Sequence, residues 1–77
     1  MFKLLDTVAL THDMPAAGLL RGDLGAIVEI HNQDALEVEF VAASGRVQAL
    51  LTLGALDVRQ LGDQDLIAVR SLAVTPG

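Results

Sequence analysis

The sequence predicts an all-β fold, a small barrel of about five short antiparallel strands with an extra C-terminal strand or short helix. Three observations lead there. The segment Ala35-Leu-Glu-Val-Glu-Phe-Val-Ala-Ala43 alternates, with Leu36, Val38 and Phe40 on one side and Glu37 and Glu39 on the other. That is the period of a half-buried strand. Turn residues (Asn32–Asp34, Ser44–Gly45, Gly54) punctuate the chain at short intervals, which is the pattern of short strands in a meander. The two hairpins these turns imply also agree on which side of the middle strand faces inward.

The elements follow in order. Leu4–Leu10 is a first strand, carrying β-branched Thr7 and Val8. Residues 11–23 form a long connection with Pro15, Gly18 and Gly22. Residues 25–31 form a second strand, 35–43 the third and 46–53 the fourth. A short strand around Val58 follows Gly54. A three-residue loop at 32–34 sets His31 opposite Ala35, Ile30 opposite Leu36, Val28 opposite Val38 and Ala26 opposite Phe40. A two-residue loop at 44–45 sets Ala42 opposite Val47, Phe40 opposite Ala49, Val38 opposite Leu51 and Leu36 opposite Leu53. A slip of one residue would turn every apolar side chain outward, so the agreement of the two registers carries information. Strands this short, after so long a first loop, fit an SH3-like barrel. A helical reading of the C-terminal third is broken by Gly54 and Gly62, each costing about 1 kcal/mol relative to Ala within a helix.

Composition narrows the role. The 77 residues make one domain, small enough that a partner, metal or disulfide commonly supplements its core. With no cysteine, disulfides and thiolate zinc sites are excluded. Apolar residues are 52% of the chain but only Phe2 and Phe40 are aromatic, so the core is aliphatic. Net charge is −5 with five Lys plus Arg. Nucleic acid is therefore not an expected partner, because phosphate affinity comes from clustered cations and single-strand affinity from aromatic stacking. No apolar run reaches the roughly 18 residues of a membrane span. The N-terminal stretch is interrupted by Asp6 and lacks a cleavage site. A cytoplasmic protein that does not enter membranes is expected.

The ordered set "KLLDTVAL", "GLLRGDLGAIVEI", "LEVEFV", "SGR" and "ALLTL" followed by "DVR" resembles the small bacterial family described as domain of unknown function 4926. The resemblance covers about residues 3–61. It implies an SH3-like barrel without known catalytic activity. In such families a short gene sometimes lies beside another small gene, as in toxin–antitoxin pairs. An antitoxin-like inhibitory partner of a neighbouring gene product is therefore the second functional expectation. Residues 62–77 extend past the resemblance, as an extension packing on the barrel or on a second copy.

Candidate sites are few. In Arg21-Gly22-Asp23 the residues read as a corner rather than an adhesion ligand. Gly22 supplies positive φ, Asp23 bonds nearby amides, and Gly25 lets the next strand bend. His12, Asp13 and His31 are too few and too scattered for a metal site, and both histidines are expected to be solvated. No Gly-x-Ser-x-Gly elbow or nucleophile–base pair occurs. The carboxylates Glu29, Glu37 and Glu39 face outward, so no acid–base pair with raised pKa is expected. Neither enzymatic activity nor a cofactor is expected. Those glutamates instead form an acidic outer face, dotted with Val41 and Leu50, that suits a basic protein partner. The run 65–74 is apolar on both sides of a strand, with Leu66, Ile67 and Val69 among its residues. Such a strand is covered on both faces. A protein partner or self-association, including a homodimer, is expected there.

Overall fold

A computed structural model describes residues 1–72. Its fold is all-β, with five antiparallel strands in one sheet: β1 (Thr7–Leu10), β2 (Leu24–Asn32), β3 (Ala35–Val41), β4 (Val47–Leu53) and β5 (Val58–Gln60). The strand order is β4-β3-β2-β1-β5, every neighbouring pair being antiparallel. The predicted barrel is corrected here, because the sheet is not closed. β4 and β5 are its two edges, and three residues of β5 offer too short a ladder to meet the seven of β4.

Alternation on β3 is as read: Leu36, Val38 and Phe40 are buried. Val8, Leu10, Ile27, Leu53 and Val58 join them, and Leu19 fills the core from the long connection. All the buried side chains of the described residues are apolar, each contributing about 1.5–3 kcal/mol when a large aliphatic or aromatic group leaves water. The connection is tied off by a short 3-10 helix (Pro15–Ala17) and left-handed Gly18. Its ends meet through a bridge between Met14 and Leu19, which aims Leu19 inward.

The β2–β3 register differs from the expectation. Ile27 lies opposite Val38 and Ala26 opposite Glu39, while Ile30 lies opposite Leu36 as expected. Val28 is an extra residue in a β-bulge between Ile27 and Glu29, and it is exposed rather than inward. The bulge resets the parity of the strand. Without it, the inward set that starts at Gly25 and Ile27 would carry Glu29 into the core. With it, Ile30 goes in and Glu29 goes out. A second shift puts Asn32 opposite Ala35, so the turn is the two residues Gln33 and Asp34 rather than three. The Asn32 side chain accepts the Asp34 amide at 2.8 Å, a local bond typical of Asn in turns.

The β3–β4 register is as expected from Phe40–Ala49 through Leu36–Leu53, then shifts to Val41–Val47. Ala42 donates to the Arg46 carbonyl and Gly45 to the Ala42 carbonyl. The loop is thus the three residues Ala43–Gly45, ending on Gly45 at φ +90°, the three-residue hairpin that needs a glycine last. Val47 is consequently exposed. β1 is shorter than predicted, because residues 3–6 form a turn in which Asp6 accepts the Lys3 amide at 2.9 Å and donates its own to the Lys3 carbonyl.

Candidate functional site

Beyond β5 the chain does not form the extra strand or helix predicted for 65–74. Residues 61–72 are irregular apart from a turn, and 73–74 lie outside the described residues. Two arginine–aspartate pairs decide its path. Asp65 accepts two parallel bonds from Arg59 on β5, at 3.0 and 2.9 Å, and a third from the Gly62 amide at 2.7 Å. The Arg59 guanidinium, then the Gly62 amide, hold the Asp65 carboxyl down to about 2. Five residues later Arg70 donates from Nε to Asp23 Oδ1 at 2.7 Å and from Nη2 to Asp23 Oδ2. Arg70 Nη2 also reaches the Gly18 carbonyl at 3.3 Å. The Arg70 bonds lower the Asp23 pKa, and Asp23 raises that of Arg70. Planar two-pronged pairs of this kind fix geometry as well as charge.

The outcome is a strap pinned at both ends. Between the pins Leu66 is 91% exposed, Ile67 63% and Val69 97%. Beneath it lies a groove of about 460 Å³, formed by Leu19, Leu24, Phe40 and Val41 on the sheet side and by Val69 and Leu72 of the strap.

One pin uses the tripeptide Arg21-Gly22-Asp23. Gly22 has φ +91° with open space where a Cβ would stand, so backbone conformation alone calls for glycine there. Asp23 accepts the Leu20 amide at 2.8 Å, closing the corner, and its carboxylate then takes Arg70. Gly25 answers a different need. A Cβ there would stand 2.6 Å from Val38 Cγ1 and 2.9 Å from Phe40 Cε1, so these two side chains of β3 fill the space over Gly25 that a side chain would need.

The outer face of the sheet is acidic. Glu29 lies directly opposite Glu37, and Glu39 opposite Leu50. His31 is not merely solvated. Its Nε2 stands 3.2 Å from a carboxylate oxygen of both Glu29 and Glu37, offsetting a cross-strand repulsion of like charges. Thr52 donates its hydroxyl to Glu37, and this bond, then His31, lowers the Glu37 pKa. Val41 and Leu50 are about half exposed beside these acids. His12 is engaged too. Its Nε2 meets Asp57 Oδ1 at 2.8 Å and its Nδ1 meets the Asp13 carbonyl at 3.0 Å. Both partners only accept, so both ring nitrogens donate and the imidazolium is favoured. The Asp57 bond, then the Asp13 bond, raises the His12 pKa. Among the described residues no three His, Cys, Asp or Glu side chains group to hold a metal ion, and no helix is long and apolar enough to cross a membrane.

Arg59, Asp65 and Arg70, which organise the strap, were not among the residues singled out from the sequence. One signal pointed to Arg70: a lone arginine within an apolar run, in a chain with few cations, needs an acidic partner. Nothing local names that partner, because Asp23 is 47 residues away.

The fold and its surfaces define a small single-sheet β domain in which Asp6, Asp23, Asp57 and Asp65 are tied into turns and Arg59, Arg70 and both histidines into pairs with carboxylates. Its family follows from the sequence match. Residues 4–60 match the model of domain of unknown function DUF4926, and the chain belongs to that family. The match ends where β5 ends, so the strap lies outside it. Neither the curated proteins nor the solved structures contain a match to this chain.

Proposed function

We propose that the chain is a non-enzymatic protein-binding module whose contact surface is the strap, assisted by the acidic outer face. The single observation that carries this reading is that Leu66, Ile67 and Val69 stand in water between two Arg–Asp pins. Exposed aliphatic groups on a restrained segment lose less conformational entropy on binding than the same groups on a free tail. Glu29, Glu37 and Glu39, with Val41 and Leu50 among them, add charge that steers a basic partner.

The test uses the whole chain as immobilised bait in extracts of its own host. Three baits are compared: the natural sequence, the triple variant Leu66→Ser, Ile67→Ser, Val69→Ser, and the charge reversal Glu37→Lys, Glu39→Lys. Proteins retained by the natural chain are lost from the triple variant and retained more weakly, with steeper salt sensitivity, on the reversal. Identical retention on all three baits refutes the proposal.

A further inference from the structure

β4 is an edge strand whose one protecting device among the described residues is the bulge at its start, which leaves Ala49–Leu53 uncovered. Edge strands ordinarily carry lysine, proline or another device that discourages strand addition. Val47-Gln-Ala-Leu-Leu-Thr-Leu53 has no charged residue and no proline. Its backbone pairs with β3 alone, leaving its other side open among the described residues. The bulge at Val41–Val47 disturbs only its first two residues, so Ala49–Leu53 remain regular. Leu50 is 55% exposed on the outer face, and Ala49 and Leu51 are only partly buried against the core.

We infer that β4 pairs antiparallel with β4 of a second copy of this chain, joining two five-stranded sheets about a two-fold axis at Leu51. With Leu51 opposite itself, Ala49 faces the second copy's Leu53 and Leu50 faces its Thr52. Inward residues meet inward residues, as the pleat requires, and small Ala49 is set against large Leu53. Charge does not oppose a second copy despite the net −5. The two pairing strands are neutral. The glutamates of β3 in the two copies would be three strand spacings apart, about 14 Å at about 4.8 Å each. Screening at physiological salt acts within about 8 Å.

The other edge rules out an open chain of copies. β5 has three residues, and its Arg59 is already taken by Asp65. A β4–β5 contact would leave most of β4 unpaired, whereas the β4–β4 contact satisfies both copies and closes. This inference does not rest on the strap, which contributes no residue to β4.

Light scattering coupled to gel filtration tests it on the full chain, over concentrations from micromolar upward. The expected mass is twice that of the 8.1 kDa chain. The double variant Leu50→Lys, Thr52→Lys sets ammonium groups opposite one another at two places across the axis. It is expected to return the mass to that of one chain while the circular dichroism spectrum stays that of the natural protein, since both positions are exposed in the single chain. Leu51→Cys gives a second reading, because the chain has no other cysteine. Directly opposed residues lie within disulfide reach, so mild oxidation is expected to link this variant into dimers, whereas Val28→Cys stays unlinked. A single-chain mass at every concentration overturns the inference. So do a mass that grows without limit, a dimer unaffected by the two lysines, or no disulfide from Leu51→Cys.

Discussion

Residues 7–60 and residues 61–72 use the same kind of side chain in opposite ways. In the sheet Val8, Leu10, Ile27, Leu36 and Val38 are buried to 1% exposure or less, and burial itself fixes the fold. In the strap Leu66, Ile67 and Val69 face water, and Asp65 and Arg70 fix the path through charge-assisted bonds to Arg59 and Asp23. The difference teaches that a run of aliphatic residues is not evidence of a strand. Position is set by whichever force is available. The strap pairs with neither edge of the five-stranded sheet, and its ionic ends alone set its path.

If the sheet is held by packing, truncating its largest buried side chain is the severest break. Phe40→Ala is expected to cost about 3–5 kcal/mol, enough to unfold a domain of this size, and urea unfolding followed by circular dichroism checks it. Gly25→Ala probes the space over β2 that the Val38 and Phe40 side chains fill. Overpacking against Val38 and Phe40 is expected to cost about 1–3 kcal/mol in the same measurement. A cost near zero would mean that these two side chains give way without strain.

On the strap side the effects are smaller and local. Arg70→Ala removes one pin, a partly buried pair whose side chains are 30% and 15% exposed, and is expected to cost about 1 kcal/mol. Amide exchange is therefore expected to quicken over residues 66–72 and at the Leu20–Asp23 corner, with β2 and β3 unchanged. The smallest effect is that of acid on the other pin. Asp65 is lowered from 3.8 to about 2, so its contribution is complete above pH 3.8 and is lost as pH falls through about 2. Chemical shifts of Gly62 and Asp65 are expected to follow that transition. A midpoint at 3.8 or above would show that the Arg59 pair does not hold in solution.

How much of this was legible in the sequence follows the same division. The strands of the central sheet and the inward face of β3 were readable, because burial imposes a period of two that any chain must write down. The β2 bulge was not, since an extra Val28 among Ala26, Ile27 and Ile30 looks like one more apolar residue. The inward set was therefore assigned to Ala26 and Val28 instead of Gly25 and Ile27. Closure into a barrel was inferred from strand spacing, which says nothing about how long the last strand is. The acidic face was legible as alternation, and the Glu29–Glu37 pairing followed from the hairpin. Its relief by His31 was not, because an ion pair has no periodicity. The corner at Gly22 and Asp23 was visible as turn chemistry, but its second use as an anchor for Arg70 depends on the folded path of a segment with no repeating pattern.

The central claim is that the strap's aliphatic residues are displayed and do not support the fold. The direct measurement is the unfolding free energy, in urea, of the full chain carrying Leu66→Ser, Ile67→Ser and Val69→Ser. Exposed positions typically change stability by no more than about 0.5 kcal/mol each, so the account predicts a midpoint close to that of the natural protein. A loss of about 3 kcal/mol or more, the scale of a core truncation, would show that these side chains are packed in solution and would contradict it.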